Sequence, residues 1–349
     1  MTLAIIKDDR FMEHNPGEGH PENPNRLRVI HELVDREFRS LPHIPLRLAT
    51  EGELALIHDP FYIQTVANTE GKRFSRLDPD TGLSERSYEI ARLAVGGLLE
   101  AVDALMIHDP GPRPPTRPTS VFAFVRPPGH HAEANRGMGF CIFNNVAIAA
   151  EYAKEQYGLK RVLIIDWDLH HGNGTQHSFY SDPSVLFFSS HQYPYYPGSG
   201  GFDEVGSGRG EGFTVNAPFP TGFGDAEYLA VYDRTIKPIA LEYKPELVLV
   251  SAGFDPYVKD PLGGMGVTGA GFYGLARIVR TIAEKTCGGK VLISLEGGYN
   301  PEGLREGVRA VLQAFTGTLQ PVHAPAAPSA ERVIQNVISH HKKYWKCLR

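Results

Sequence analysis

Five short apolar runs set the architecture: SVFAFV (120–125), RVLIID (161–166), SVLFFSS (184–190), ELVLVSA (246–252) and KVLISLE (290–296). Within each run the apolar residues are continuous rather than alternating, as in strands buried on both faces. Helical periodicity at 143–156, 225–243 and 268–285 lies between several of them. Strands alternating with helices predict one α/β domain, a mainly parallel central sheet with helices on both faces. FTVNAPF (213–219) also reads as a strand, and Asn23-Pro24 before NRLRVIHELVDREF reads as a capped helix start with proline at its first position. DPGPRPPTRPT (109–119) reads as a proline-rich surface loop. The domain is expected over 1–320. Residues 321–349 are expected to be a linker and a helical tail (331–345) whose charges form a solvated face.

Charge narrows the function classes. Thirty-five Lys and Arg stand against 40 Asp and Glu without a basic stripe, so a directly bound nucleic acid is not expected. Cys141, Cys287 and Cys347 are an odd number with no CxxC spacing, which argues against a disulfide framework and a thiolate zinc site. MTLAIIKDDR carries too short an apolar run for a signal segment or a membrane span. A cytoplasmic protein without a membrane partner is expected; the oligomeric state is open.

Ligands of open parallel sheets bind beyond the carboxyl ends of the strands. Those ends carry His130 and His131; Asp166, Asp168, His170 and His171; Asp255; and Tyr299. Singly, each is an ordinary turn or polar residue. Together they are costly beside a core unless a cation or a hydrogen-bond network compensates them. In extended chain Asp166, Asp168 and His170 share a side, with Trp167 and Leu169 behind. Such a set suits zinc, and iron(II) equally.

RPPGHHA, GFCIFNN, DWDLHHGNGTQ, SSHQYPYYPGSG, SAGFDPYVKDPLGG and LEGGYN occur in this order, preceded by HPENPNRL (20–27). From about residue 14 to 315 the chain resembles the histone deacetylase superfamily, in particular its class II-like and bacterial members. The resemblance implies the arginase/deacetylase fold and metal-dependent hydrolysis of N-acyl amides, in acylated lysine of a peptide or protein or in a small acylated amine. It implies that Asp168, His170 and Asp255 hold zinc or iron(II), and moves Asp166 behind them, beside His130. His131 becomes general base and acid, His130 its electrostatic support, and Tyr299 the oxyanion donor on a loop that Gly297 and Gly298 leave free to swing. Asn173 stands where many members pair the second histidine with Asp, and a neutral partner implies a less basic His131. Gly139 and Phe140 match one wall of an acyl-lysine tunnel and Tyr196 the other. Asp80 matches the residue that holds the substrate backbone. Leu262 stands where polyamine-preferring members carry an acidic gatekeeper, which favours acyl-lysine. A structural potassium ion is implied at Asp166, Asp168, His170, Ser189 and Ser190, and a second at Phe179, Asp182 and Val185.

Three other readings are weaker. A di-manganese ureohydrolase would leave Tyr299 and the tandem histidines without a task. GSGRGEG (206–212) lacks the preceding strand and following helix of a nucleotide loop. A silent acyl-lysine binding module would be expected to lack a ligand or the oxyanion donor. An acetylpolyamine amidohydrolase stays the nearest alternative.

Overall fold

The computed structural model describes residues 2–107, 117–317 and 326–349. Most of the proline-rich loop and the first part of the expected linker therefore lie outside the described residues. In chain order the elements are β1 (Leu3–Ile6), α1 (Asn25–Glu37), α2 (Glu51–Leu54), α3 (Pro60–Ala67), β2 (Ser75–Arg76), β3 (Gly82–Leu83), α4 (Ser87–Met106), β4 (Ser120–Ala123), α5 (Asn145–Tyr157) and β5 (Val162–Asp166). There follow α6 (Asn173–Phe179), β6 (Val185–Gln192), β7 (Thr214–Phe219), α7 (Asp225–Arg234), α8 (Ile236–Tyr243), β8 (Leu247–Ala252), α9 (Gly269–Thr286), β9 (Val291–Leu295), α10 (Pro301–Thr316) and α11 (Glu331–His341).

Seven strands form one sheet in the order β1-β4-β9-β8-β5-β6-β7, every neighbouring pair parallel. All their residues are buried, which is why the runs are apolar without alternation. Helices α4 and α5 pack together, and α1, α10, α9, α7 and α8 pack in succession; the two groups cover the two faces. The small hairpin β2–β3 stands apart.

Three details depart from the sequence expectation. LAII, too short for a signal or a span, is edge strand β1, paired with β4. The helix expected over 225–243 is broken at Thr235, because Pro238 has no N–H to donate and its ring crowds the carbonyl four residues earlier. Helix α1 begins one residue after Pro24, with Asn23 Oδ1 accepting from the Asn25 amide at 3.0 Å.

Edge strand β7 tolerates Pro218 because its outer side needs no ladder donor, and α11 packs against it. Behind α11, Trp345 is buried: its indole donates to the Gly212 carbonyl at 3.0 Å, and its ring meets Phe213 and Tyr243 at 5.4 and 6.1 Å. The tail helix is thus packed onto the same body as the sheet.

Beneath the carboxyl ends of β4 and β9 lies a buried ionic cluster. Glu22 accepts from Arg126 Nη2 at 2.7 Å and from Arg26 Nη1 at 2.9 Å. Arg126 also donates to the carbonyls of Phe11 and His14, and Arg26 to those of Glu296 and Gly298. One carboxylate so ties the segment before α1 to the loops after β4 and β9. Burial opposes its charged form, but Arg126, His14 and Arg26 hold it well below the ordinary 4.5.

Removing one member of a buried pair strands the others. Glu22→Gln is expected to lower the urea-unfolding free energy by about 3–5 kcal/mol at pH 7. A carboxylate depressed in the folded state contributes stability above its unfolded value and loses it as pH falls toward the folded one. The gap between wild type and variant should therefore narrow as unfolding is repeated from pH 7 down to 3. Trp345→Ala is expected to cost about 3 kcal/mol in the same measurement; a change near zero would mean that the segment following α11 contributes little to the fold.

Candidate active site

Strands β5 and β8 are neighbours with Asp166 opposite Ser251, so the loops leaving their carboxyl ends emerge side by side. After Asp166 the chain is no longer strand. Trp167 and Leu169 are nonetheless fully buried, while a bend at 168–170 rather than an extended alternation brings Asp168 and His170 to one place and leaves Asp166 out of it. The Asp255 carboxylate crosses from the β8 loop to accept from the Leu169 amide at 2.9 Å. His170 Nδ1 lies 3.1 Å from Asp168 Oδ1 and 3.1 Å from Asp255 Oδ2. The ligand atoms of these three residues all lie within 4.8 Å of one another.

Backbone amides hold both Asp168 oxygens: His170 N donates to Oδ1 at 2.9 Å and Gly297 N to Oδ2 at 2.8 Å. Close packing excludes side chains around it. A Cβ on Gly297 would lie 2.3 Å from Asp255 Oδ2, and one on Gly253 would lie 2.2 Å from Asp168 Oδ2. Burial and the neighbouring Asp168 push the Asp255 carboxyl up to about 7, while, despite burial, the two carboxylates raise the His170 ring to about 9. Two carboxylates and an imidazole whose donor atoms converge in a buried place fit a zinc or iron(II) ion.

Asp166 stands apart from this set. Its Oδ2 is 2.9 Å from His130 Nδ1, and despite burial the Asp166 and Asp168 charges raise the His130 ring to about 10. Ser189 lies opposite Asp166 in the sheet, with its hydroxyl on His191 at 3.0 Å, whereas the Ser190 hydroxyl turns to Tyr232 at 2.8 Å. Phe179, Asp182 and Val185 surround the turn between α6 and β6, where Asp182 N donates to Phe179 O at 3.0 Å. His171, adjacent to His170, faces away toward Ser199 and Gln176; burial drives its ring down to about 3 and keeps it neutral.

His131 packs beside His130, ring centroids 4.0 Å apart, with Nδ1 2.7 Å from Asn173 Oδ1. Its ring is held well below the usual imidazole range, first by burial and then by His130 and His170, whereas the bond to Asn173 raises it. The direction matches the sequence expectation; the cause is burial rather than the neutral partner. Gly139, with φ +56°, brings the chain against this ring, since a Cβ there would lie 2.4 Å from His131 Cδ2 and 3.1 Å from the Tyr196 ring.

Phe140 also adopts a positive φ, 70°, a strained backbone for a phenylalanine. Its amide donates to Thr81 Oγ1 at 3.1 Å, and that hydroxyl reaches Asp80 at 3.2 Å, which joins the Asp80 loop to the Phe140 wall. Burial, with Asp78 beside it, raises the Asp80 carboxyl. The Phe140 ring meets Tyr299 edge-on at 5.8 Å, and Tyr196 meets His131 edge-on at 5.1 Å. Tyr195, which the sequence does not single out, stacks on His170 at 5.7 Å and donates to the Leu262 carbonyl at 3.0 Å.

The Tyr299 loop differs from expectation. Gly298, with φ +113°, does need glycine, but Gly297 is glycine because the two aspartates leave no room. Rather than swinging freely, the loop is fastened. Asp260 Oδ2 accepts from the Tyr299 and Asn300 amides at 2.7 and 3.0 Å, Arg26 Nε holds Gly298 O at 2.7 Å, and the Arg26 guanidinium lies 5.0 Å from the Tyr299 ring. Glu296 also escapes sequence reasoning: buried behind the site, it accepts from the Gly129 and His130 amides at 2.6 and 3.2 Å, and burial pushes it up to about 7.

Among the described residues no helix is long and apolar enough to cross a membrane, and Cys141, Cys287 and Cys347 are all free.

A family model described as the histone deacetylase domain matches residues 20–315. The chain is 40% identical to rice "Histone deacetylase 10, chloroplastic" over 88% of its own length and 71% of that protein. It is 35% identical to a "Probable deacetylase" of Archaeoglobus fulgidus over the full length of both. Human "Polyamine deacetylase HDAC10" is 40% identical, matching all of this chain and 53% of the human protein. The crystal structure of the HDA15 HD domain superposes with a TM-score of 0.90 at 36% identity, covering 99% of this chain and 96% of that one. Seven parallel strands, this run of motifs and these relatives agree: the chain belongs to the histone deacetylase family.

Proposed function

We propose that the chain is a metal-dependent amidohydrolase that removes acyl groups from amines, with N-ε-acyl-lysine as its preferred substrate class. The observation that carries this reading is the convergence of Asp168, His170 and Asp255 within 4.8 Å beside His131, whose Nδ1 is engaged by Asn173. Deacetylase names among full-length and near-full-length relatives support it.

Asp168, His170 and Asp255 would hold the ion. Bound zinc or iron(II) supplies Lewis acidity, polarising the substrate carbonyl and lowering the pKa of a water. His131 Nε2, free while Nδ1 donates to Asn173, takes the water's proton as it attacks and returns a proton to the leaving amine. His130, kept cationic by Asp166, adds positive charge beside the forming oxyanion, and the Tyr299 hydroxyl donates a hydrogen bond to it. Phe140 with Gly139 and Tyr196 would flank the methylene chain, and Asp80 would accept from the substrate backbone. Leu262 leaves this rim without the extra carboxylate that a cationic acetylpolyamine would favour. Potassium would sit at Asp166, Asp168, His170, Ser189 and Ser190, and at Phe179, Asp182 and Val185, where backbone carbonyls suit a hard cation.

The test is hydrolysis of an acetyl-lysine peptide beside N-acetylputrescine and longer acyl-lysines. Turnover of acyl-lysine is expected, abolished by a chelator and restored by zinc or iron(II). His131→Ala should lose roughly 10²–10⁴-fold in kcat and Tyr299→Phe roughly 10²–10³-fold. Turnover of the polyamine alone would overturn the substrate assignment, and a metal-loaded protein inert to the whole panel would overturn the enzyme.

A further inference from the structure

Asn173 is backed by a charge. Its Nδ2 donates to Glu133 Oε1 at 2.6 Å, and the Glu133 carboxylate pairs in turn with His177 Nδ1 at 2.9 and 3.0 Å. Glu133 is buried, at 8% exposure, whereas the His177 side chain is 53% exposed. A continuous chain, His131–Asn173–Glu133–His177, thus runs from the reacting face to the surface. It joins the loop after β4 to α6.

An ionised carboxylate only accepts hydrogen bonds. Glu133 therefore requires the NH₂ side of the Asn173 amide, which leaves Oδ1 for His131. That oxygen can only accept, so His131 must carry its proton on Nδ1 and keep the Nε2 lone pair free. Nδ2 also reaches the His131 carbonyl at 3.4 Å, a longer bond than the 2.6 Å one to Glu133. Without Glu133 that weaker bond alone opposes rotation of the amide, which would offer NH₂ to His131 and select the opposite tautomer. The carboxylate also polarises the amide, so part of its charge reaches the imidazole. Many relatives by resemblance place this charge directly on an aspartate; here it stands one amide further back, with His177 as its surface counter-ion. The Glu133 side-chain bond raises the His177 ring and favours that cation.

We propose that Glu133 is a positioning residue for the base: through Asn173 it selects the His131 tautomer that can accept a proton. The proposal rests on His131 being the base, but its structural half does not require turnover.

The test uses zinc-loaded protein, with His131 ring resonances identified by their absence in His131→Gln. Long-range ¹H–¹⁵N correlations should give the Nδ1–H tautomer in wild type and the opposite or mixed tautomer in Glu133→Ala. Glu133→Met, close in volume, gives the same reading should the alanine variant unfold. On acyl-lysine, either variant should lose roughly 10–100-fold in kcat with KM little changed. The double variant Glu133→Ala/Asn173→Asp, which puts the carboxylate directly on His131, should recover both the tautomer and most of kcat. A merely structural Glu133 would not be rescued by a second substitution. An unchanged tautomer in folded Glu133→Ala or Glu133→Met overturns the proposal, as does a double variant no better than Glu133→Ala. If wild type turns over nothing, the tautomer alone decides, so the failure of the hydrolase reading and of this one remain distinct.

Discussion

Two carboxylates and an imidazole sit within 4.8 Å of one another at the ends of buried strands, and much of the structure follows from having to keep them there. Charged groups in such a place repel and desolvate unless something compensates them. The compensation is built from backbone. The amides of Leu169, His170 and Gly297 donate to Asp255 and Asp168, so three loops are fixed by the groups they carry. This explains glycine at 253 and 297: the carboxylates occupy the space where a Cβ would be. Sheet register does the rest, because the parallel pairing of β5 with β8 decides that Asp168 and Asp255 emerge as neighbours.

A second layer of charge holds the first in position. Glu22 pairs with both Arg126 and Arg26, whose remaining donors go to main-chain carbonyls, those of Phe11 and His14 for Arg126 and of Gly298 for Arg26. Glu296 caps the amides that lead into the tandem histidines, and Asp260 does the same for Tyr299. Each is a carboxyl group satisfied by main-chain amides or by an opposite charge, placed where it fastens a loop. Flexible loops would leave the distances among His131, Tyr299 and the Asp168, His170 and Asp255 side chains to chance, and in an active site a misplacement near 1 Å is enough to cost about 10²-fold in rate.

The fold was legible because its signal is dense. Continuous apolar runs separated by helical stretches admit few arrangements, and β4, β5, β6, β8 and β9 fall where they are expected. What escaped was set by context. LAII is as short as many loop segments and becomes a strand only because β4 lies beside it. Thr235 breaks a helix through Pro238, a single residue inside an otherwise periodic segment. At the site, strand-end residues could be picked out, since position in the sheet and chemistry coincide there, and the motif resemblance separated Asp166 from Asp168. Glu22, Glu133 and Asp260 could not be. Their partners are distant in sequence or lie on another element, and an isolated acidic residue in a loop is ordinary. Tyr195 was hidden by Tyr196, because only backbone direction decides which of two adjacent tyrosines stacks on His170 and which meets His131.

Stability and reactivity pull against each other in this molecule, and their distribution is uneven. Phe140 holds a positive φ at the rim, His131 is buried beside Gly139 without a charge of its own, and Asp255 carries a carboxyl pushed toward neutrality. Each costs folding free energy, of order 1–3 kcal/mol for a strained backbone position. The offset lies elsewhere: in strands buried on both faces, in helices packed along them, and in a C-terminal helix that covers the β7 edge and seats Trp345 against Phe213. Of the two non-glycine residues with positive φ among the described residues, Phe140 lies at this rim and Lys244 ends α8, while packing is spread over the body. That arrangement lets the loops at the carboxyl ends keep unfavourable geometry without the sheet beneath them yielding.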